Sequence, residues 1–469
     1  MASSKKLLPS DLPALVEAKL KNWVQPGRHL ALALSGGADS VVLLDILAQL
    51  RAGLHFHLSA VYINHQISPS AALWGDFCAG LCARHDVPFE TVAVDVGRRA
   101  GESLEALARA ARYRVFSEQP ADFVVLAQHL DDQAETLLLQ LLRGAGAKGL
   151  SAMAELSTQD SAYDLSCALA HRKSEYPCGG LRTGYLRPLL DVPRRTIVDY
   201  AVLHGLKWVE DESNADIAFD RNYLRHQVLP ILEQRFPAYR ETFSRASRHL
   251  AECALLLDDL ARLDHAAAVV DGRLRVDALR KLSGPRAKNL MRHFLAGIGV
   301  PMPSARRLEN LLQQLRGPRD DAQVRICLGD VLVRRYRGDV YIEKKPLAPQ
   351  PNLRVTWVSQ QLIDLPDSGG RLLFEHAAGQ GLSLARLTAE PVTIRLRHGG
   401  ERLRPDCRRP NRSLKNLLQE GGVPSWQRQS LPLLFSGETL VFVPGIGVAC
   451  EYQAKEGEPG LVVKFERSI

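Results

Sequence analysis

Ser35-Gly36-Gly37-Ala38-Asp39-Ser40 lies where the apolar run His29 to Leu34 ends and the helical pattern Val41 to Leu50 begins. Glycine accepts positive φ and lets the backbone approach an anion, while a helix start offers unpaired N–H groups and the positive end of its dipole. The stretch therefore predicts a phosphate-binding turn. A simple tight turn capped by Asp39 or Ser40 is the alternative interpretation of so short a motif. No lysine follows the glycines, so a Walker-type loop is not indicated.

Apolar strands and amphipathic helices alternate from residue 29 to about 143. The predicted strands are His29–Leu34, His57–Ile63, Phe89–Val94 and Phe123–Ala127, and the predicted helices between and after them cover 41–50, 71–85, 103–118 and 132–142. This pattern is typical of a parallel, Rossmann-like α/β sheet. Because short connections place the loops after each strand at one edge, we expect the ligand crevice there.

The rest of the chain predicts two further domains. Helical periodicity dominates 238–317, alternation follows at 324–344, and strands with one clear helix at 413–419 fill the tail beyond a proline-rich linker at 345–352. We therefore predict a catalytic domain over 1–225, a small mostly helical substrate domain over 226–345 and a basic α+β domain over 353–469. The polar stretch 150–186 interrupts the first domain and predicts a mobile loop.

Composition indicates a globular protein, and its positive charge permits a polyanionic partner without requiring one. The net charge is +8, and residues 391–430 hold nine Lys and Arg against three acidic residues, a surplus of +6. Clustered arginines bind phosphodiester backbones, although a solvated charged face explains them equally well. The candidate RNA-binding residues of the tail are Arg408, Arg409, Arg412, Lys415 and Arg428.

The remaining composition points to the cytoplasm. No apolar run reaches the length of a membrane span, and residues 1–9 lack the apolar core of a secretory signal. Eight scattered cysteines without a C-x-x-C pair predict reduced, mostly structural thiols. Cys78 and Cys82 fall on one helix face, where we expect burial rather than metal binding.

A second motif, Gln128-His129-Leu130-Asp131-Asp132-Gln133-Ala134-Glu135-Thr136, follows the predicted strand Phe123–Ala127. Asp132 and Glu135 have the spacing of a helix capping box, which alone explains them. Yet acids beside a triphosphate repel it unless they hold Mg²⁺ or a cationic substrate. Three residues apart on a helix, both carboxylates point the same way, so we expect a metal or an ammonium between them.

With both motifs described, the chain resembles the tRNA(Ile)-lysidine synthetase family of pyrophosphatase-loop enzymes, nearly end to end. The resemblance also rests on 61–65 (VYINH), 105–113 (EALARAARY), 141–144 (LLRG), 187–190 (RPLL), 211–216 (DESNAD) and 221–225 (RNYLR). It is looser, but visible, at 412–415 (RSLK) and 424–434 (PSWQRQSLPLL).

This resemblance implies ATP-dependent ligation of L-lysine to C2 of the wobble cytidine, position 34, in an isoleucine tRNA with the CAU anticodon. The cytidine is adenylated, the lysine ε-amine displaces AMP, and pyrophosphate is the other product. ATP and Mg²⁺ are the implied cofactors, with a homodimer among the oligomeric states left open. ATP would be bound by Ser35, Gly36, Gly37, Ala38, Asp39 and Ser40, with Asp39 also a magnesium ligand.

The implied catalytic residues are Asp39, Asp132, Glu135 and Arg112. The three carboxylates would hold the lysine and take its proton, while Arg112 would neutralise the α-phosphate. Arg194, Arg221 and Arg225 would bind RNA or close over the nucleotide, with salt bridges as the alternative. The chain departs from the family by having Gln128 where a first histidine is usual, and by a longer 157–183 stretch.

Two other functions compete. A related tRNA thiolase, or an ammonia-using synthetase, would share the ATP loop, but sulfur insertion generally needs positioned thiols. A nucleotide-sensing RNA-binding protein without turnover would use Asp132 and Glu135 only as helix caps.

Overall fold

The computed structural model describes residues 8–97, 104–157, 183–317, 324–345 and 353–467. The chain forms two compact units, Met1–Leu257 and Asp258–Ile469. The expected mobile loop and the proposed insertion fall largely in 158–182, together with Cys167 and Cys178, and thus lie outside the described residues.

A mainly parallel sheet forms the centre of the first unit. Its strands are β1 His29–Ala33, β2 His57–Asn64, β3 Phe89–Ala93, β4 Phe123–Val125, β5 Leu156–Ser157 and β6 Gly184–Leu186. They lie in the order β3-β2-β1-β4-β6-β5, with β5 antiparallel to β6 and the other pairs parallel. The predicted parallel α/β fold is confirmed.

Helices cover both faces of this sheet because the strand side chains alternate. Leu30 and Leu32 join the core formed with one set of helices, whereas Ala31 joins the core that contains Phe116. Among the described residues the helices of this unit are Leu12–Trp23, Ala38–Leu54, Ala71–Arg84, Leu104–Glu118, Leu130–Leu142, Ala147–Leu150, Arg194–Leu203, Asp220–Tyr223 and Leu229–Arg235, and Tyr239–Ala268 runs past its end.

The order in which strands are added to the sheet changes direction between β1 and β4, and this change determines where the site lies. The chain passes from β1 outward to β2 and β3, then returns to the other side of β1 for β4, with Leu32 opposite Val125. Ligands of open α/β sheets bind at such a switch point, outside the carboxyl ends of the strands. The loops after β1 and β4 carry the two motifs, so both motifs lie at this switch point.

The second unit begins with a mixed α+β region. Its strands are β7 Val269–Val270, β8 Arg273–Arg275, β9 Arg325–Leu328, β10 Val331–Tyr336 and β11 Asp339–Lys344, and its helices are Val276–Lys281, Gly284–Gly297 and Ala305–Arg316. The strands pair in the order β7-β8-β11-β10-β9. Helices dominate 238–317 as expected, and the strands β7 and β8 that interrupt them are too short to give a periodic signal in the sequence.

The tail is built mainly of antiparallel strands. They are β12 Arg354–Thr356, β13 Leu362–Leu365, β14 Gly370–Ala378, β15 Leu382–Ser383, β16 Val392–Arg395, β17 Arg402–Leu403, β18 Arg412–Ser413, β19 Leu433–Ser436, β20 Thr439–Val443, β21 Gly447–Val448 and β22 Pro459–Arg467. The helices are Leu384–Leu387 and Leu414–Glu420. These strands form three sheets, with the strand orders β12-β16-β19-β20-β21, β13-β14-β22-β15 and β17-β18. An α+β tail is thus confirmed.

The cysteines confirm one expectation and correct another. Cys78 and Cys82 are buried free thiols, as their spacing predicted. Cys407 and Cys450 form a disulfide, so the expectation of reduced thiols is wrong for this pair. Their separation of 43 residues gave no sequence signal, because the fold alone brings them together.

Candidate functional site

The turn Ser35 to Ser40, predicted to bind phosphate, has the backbone geometry that its sequence indicates. Gly36 has φ of +83°, and Gly37 is the N-cap of helix Ala38–Leu54 without a side-chain cap. The Gly36 carbonyl accepts a hydrogen bond of 2.9 Å from the Val209 N–H. A Cβ at Gly36 would lie 2.8 Å from Val209 Cγ2 and 3.2 Å from Cys78 Sγ. Glycine is therefore required by both conformation and space.

The two serine hydroxyls of the turn brace it from within. Ser35 Oγ lies 3.1 Å from Ser40 Oγ, and the Ser40 hydroxyl donates to the Gly37 carbonyl at 3.0 Å. Ser40 is buried, whereas Ser35 is exposed. The turn therefore presents Ser35 and its backbone N–H groups at the helix start, where an anion is stabilised.

His129 joins the two motifs. This buried residue precedes helix Leu130–Leu142 as its N-cap. Its Nε2 lies 3.6 Å from Asp39 Oδ2 and 3.5 Å from Asp132 Oδ2. The carboxylates of Asp39 and Asp132 therefore converge on one imidazole, at the same edge of the sheet.

The charges around His129 fix its ionisation. Burial lowers the pKa of His129, but Asp132 and Asp39 outweigh burial and raise that pKa to about 9. In turn, burial raises the pKa of Asp132, while His129 and Arg221 outweigh it and hold that pKa below its usual value. These charges favour the protonated form of His129 and the ionised form of Asp132.

Glu135 is buried and fully engaged by two arginines. Arg221 Nε donates to Glu135 Oε2 at 2.7 Å, and Arg225 donates to both Glu135 oxygens at 2.7 and 3.0 Å. Arg221 and Arg225 also lie 3.5 and 3.6 Å from Asp132 Oδ1. Both arginines, which the sequence suggested for RNA, are therefore placed in salt bridges with the acidic motif. Their contact with RNA stays a prediction.

Asp131, the first acid of the pair, has partners of its own. Its Oδ2 accepts the Arg194 backbone N–H at 2.8 Å, and its Oδ1 accepts from Arg240 Nε at 2.5 Å. The Arg194 side chain is half-exposed, with Nε 3.9 Å from Asp39 Oδ2. Arg194 therefore lies at the rim of the site.

Arg112 lies next to β2. Its guanidinium is 3.4 Å from His65 Nε2, and burial together with Arg112 lowers the pKa of His65 to about 4. A neutral His65 leaves the charge of Arg112 uncompensated by that neighbour. The predicted role of Arg112 at the α-phosphate stays a prediction.

The basic tail residues divide into exposed and engaged groups. Arg408, Arg409 and Lys415 are exposed, and Arg409 lies 3.5 Å from Asp406. Arg412 donates to Glu420 at 2.7 Å, and Arg428 donates to the Val423 carbonyl at 2.8 Å. Arg412 and Arg428 therefore have fewer N–H groups available to bind phosphate than the exposed residues have.

The donor set at Asp39 suits a magnesium ion shared with phosphates. Asp39 Oδ1 is buried and has no hydrogen-bond partner in the described structure. Magnesium typically takes one or two carboxylates and completes its shell with water and phosphate oxygens. Over the described ranges, no cluster of three or more His, Cys, Asp or Glu side chains forms a preformed metal site.

Sequence reasoning assigned no role to three residues of this region. His129 lies four residues after the end of β4, within the motif, so its position was a usable signal. Arg187 is buried and donates to Gln128 Oε1 and to the Ala154 carbonyl. Arg240 is separated by 109 residues from Asp131, and no local pattern indicates that contact.

Comparisons with known proteins agree with this architecture. Family models match a PP-loop domain over residues 12–232, a TilS substrate binding domain over 274–341 and a TilS substrate C-terminal domain over 392–465. The tRNA(Ile)-lysidine synthase of Nitrosomonas europaea is 44% identical over 468 residues, covering 100% of this chain and 98% of that protein. That of Azoarcus sp. is 40% identical, covering 94% and 92%, and that of Coxiella burnetii is 35% identical, covering 93% of each. No helix within the described residues is long and apolar enough to cross a membrane.

Proposed function

Given that the chain belongs to the tRNA(Ile)-lysidine synthase family, we propose that its chemistry takes place where Asp39 and Asp132 converge on His129. The protein is a ligase that forms a C–N bond, and it makes lysidine on tRNA(Ile) at the expense of ATP. The convergence of the two motifs at the switch point is the observation that carries the assignment of the site.

ATP would lie on the turn Ser35 to Ser40. The uncapped start of helix Ala38–Leu54 and the close approach allowed by Gly36 favour phosphate oxygens there. Asp39 Oδ1, buried without a partner, would hold Mg²⁺, which neutralises phosphate charge when bound. Arg112 would stabilise the α-phosphate as the O2 of the wobble cytidine attacks it and pyrophosphate leaves.

Lysine would bind through its ammonium group to the acidic motif. Asp132 is charged, and although its Oδ2 accepts the His129 backbone N–H at 3.0 Å, its Oδ1 makes only long contacts with Arg221 and Arg225 and so has capacity for an ammonium. Glu135 would contact the ammonium only by exchanging one of its arginine partners. The ammonium must lose a proton to a carboxylate before the amine attacks C2 of the adenylated cytidine and AMP leaves.

The domain division extends this proposal. Residues 1–225 would carry catalysis, 226–345 would bind the anticodon arm of the tRNA and 353–469 its acceptor stem, where the exposed Arg408, Arg409 and Lys415 would contact phosphates. The substrate is the tRNA with the CAU anticodon, and its wobble base would enter the crevice unstacked. The three stretches matched by family models support this division. We propose the cytoplasm as the compartment in which the protein acts.

The thiolase alternative is not favoured by the described thiols. Cys78 lies closest to the ATP turn, but burial raises its pKa to about 12, and burial raises the pKa of Cys82 to about 11. Neither forms a thiolate at neutral pH, and the thiolate is the reactive species.

The test is pyrophosphate release from ATP with total tRNA and each standard amino acid in turn. We expect release that requires both tRNA and lysine, and a modified cytidine heavier by a lysyl group in mass spectra of the tRNA. Release supported equally by other amino acids would contradict the substrate assignment. Nucleotide binding without any release would instead indicate an RNA-binding protein without turnover.

A further inference from the structure

The neighbouring acids Asp131 and Asp132 serve different parts of the molecule. Asp132 faces His129 and the arginines around Glu135. Asp131 Oδ2 lies 3.8 Å from His129 Nδ1, but its hydrogen bonds go elsewhere: one oxygen accepts the Arg194 backbone N–H and the other accepts from Arg240 Nε. Its side chain is 16% exposed, so these contacts are largely shielded from water. Asp131 therefore ties together three helices that surround the site.

Arg240 is held in place by a fork of contacts. Besides Asp131, its two terminal nitrogens donate to the two oxygens of Glu233 at 2.8 and 3.0 Å. Burial lowers the pKa of Arg240, but Glu233 and Asp131 outweigh it and raise that pKa. A planar guanidinium can satisfy two carboxylates at once, which an ammonium group on a flexible stem does less well.

Apolar packing fixes the same junction. Tyr239, next to Arg240, is buried against Ala134 and Leu229, and Ala134 belongs to helix Leu130–Leu142. Phe243, one turn on, meets the Tyr239 ring edge to face with centroids 5.7 Å apart. The first turn of helix Tyr239–Ala268 is thus packed directly on the helix that carries Asp132.

Helix Tyr239–Ala268 starts in the first unit and ends beyond its boundary at Leu257. The chain then continues into the stretch 274–341 that matches the TilS substrate binding domain. Arg240 lies in the first turn of this helix, within the first unit and beside Asp131.

We propose that Arg240 is a positioning residue for the ligation. Through Asp131 it fixes the first turn of helix Leu130–Leu142, and hence Asp132, together with the start of helix Arg194–Leu203. This inference rests on the proposed function and deepens it. The ion pair Asp131–Arg240 would keep the Asp132 carboxylate, which is proposed to bind lysine, at a fixed position beside the ATP turn. Arg240 itself touches no substrate.

The experiment compares Arg240→Met with Glu233→Gln in the full-length protein. Arg240→Met keeps the length and apolar packing of the side chain but loses the contact with Asp131. Because a displacement of about 1 Å at a reacting group costs up to about a hundredfold in rate, we expect kcat for lysidine formation to fall roughly ten- to hundredfold. KM for ATP and the affinity for tRNA should remain those of the wild type.

Glu233→Gln is the matched control, because it removes the charge of the exposed partner and leaves the contact between Arg240 and Asp131. An exposed ion pair contributes little and glutamine still offers Arg240 one acceptor oxygen, so this variant should lose far less kcat than Arg240→Met. Arg240→Lys keeps the charge without the fork and should fall between Arg240→Met and the wild type. The stoichiometry of ATP binding gives the folded fraction of each variant, to which kcat is normalised.

Three outcomes would overturn the inference: wild-type kcat in Arg240→Met, a loss in Glu233→Gln as large as in Arg240→Met, or a loss that disappears on normalisation to the folded fraction. The last would show a role in folding alone. Failure of the proposed function looks different, since the wild-type protein would then release no pyrophosphate with lysine and tRNA.

Discussion

Gly36 is constrained both by its backbone angle and by the side chains above it. Gly27 has the same φ of +83°, but a Cβ placed there would meet no atom within 4 Å, so Gly27 isolates the cost of the angle. A residue with a Cβ in this region costs about 1–2 kcal/mol, and overpacking adds about 1–3 kcal/mol. We expect Gly36→Ala to lower the free energy of unfolding by more than Gly27→Ala does, and to weaken ATP binding.

Thermal unfolding and ATP titration of the two glycine variants check this expectation. Gly27→Ala should bind ATP like the wild type. If the two variants lose equal stability and both bind ATP normally, the close contact between Gly36 and Val209 is not a feature of the turn.

Asp132 and the ATP turn should be separable by mutation. In Asp132→Asn the ammonium loses a charged acceptor, and hydrogen bonds to charged groups contribute about 1.5–3 kcal/mol. This loss of free energy corresponds to a roughly ten- to hundredfold rise in KM for lysine, whereas the affinity for ATP should stay near that of the wild type. Steady-state kinetics and ATP titration measure the two effects. An equal loss of both would assign Asp132 to the metal or the fold instead.

His129 makes the stability of the first unit depend on pH. Its pKa is about 9 in the folded protein against about 6.5 unfolded, so the stabilisation is complete below pH 6.5 and is lost as pH rises through 9. The difference corresponds to about 3 kcal/mol. We expect His129→Gln to lower the melting temperature strongly at pH 6 and much less at pH 10.

The control for this pH dependence is His57→Gln, a substitution at an exposed histidine of the same unit. It should shift the melting temperature equally, and little, at both pH values. A His129→Gln penalty that stays constant from pH 6 to pH 10 would mean that the imidazole is neutral in the folded protein.

Elements of the sheet were predictable because each strand and helix carries its own periodic signal. Strands β1 to β4 begin at the expected residues, and three of the four predicted helices, 71–85, 103–118 and 132–142, agree with the structure within two residues at each end. The helix expected over 41–50 is longer, Ala38–Leu54, and helix Leu12–Trp23 was not predicted. The meeting of the motifs after β1 and β4 followed from parallel pairing alone. The pairing of Glu135 with Arg221 and Arg225, 86 and 90 residues away, depends on how helices pack and has no local signal.

A buried hydrogen bond joins two helices of the first unit. The Tyr200 hydroxyl of helix Arg194–Leu203 donates to Asp45 Oδ2 of helix Ala38–Leu54 at 2.8 Å, and Gln49 donates to the same oxygen at 2.7 Å. Burial and Asp45 raise the pKa of Tyr200, so it remains a donor at neutral pH. Tyr200→Phe leaves Asp45 with one donor fewer.

We expect Tyr200→Phe to lower the free energy of unfolding by about 1–3 kcal/mol, the cost of an unsatisfied buried partner. The exposed Tyr223 provides the control, and Tyr223→Phe should be neutral. Chemical denaturation measures both. Equal stability of the two variants would show that Gln49 alone satisfies Asp45.

At the scale of the whole molecule, the two units should respond differently to reduction. The Cys407–Cys450 disulfide closes a 43-residue separation within the second unit, whereas Cys78 and Cys82 of the first unit are free thiols. Closing a loop of this length stabilises by about 4 kcal/mol in the chain-entropy model. Reduction should therefore change the stability of the second unit and leave that of the first unit unaffected.

We expect a thiol reductant to lower the melting temperature of the second unit by about 10 °C, from that free energy and the usual entropy of a unit this size, and to leave the first unit unchanged. Calorimetry follows both transitions, and hydrogen exchange assigns each to its unit. In a Cys407→Ser/Cys450→Ser double variant, the second unit should melt at the temperature of the reduced wild type, and the reductant should not change that temperature. Since Arg404 donates to the Cys407 carbonyl and its own carbonyl accepts from the Cys450 N–H, the cross-link also holds the segment with Arg408 and Arg409. Unchanged melting of the second unit under reductant would mean that the two thiols are not bonded in solution.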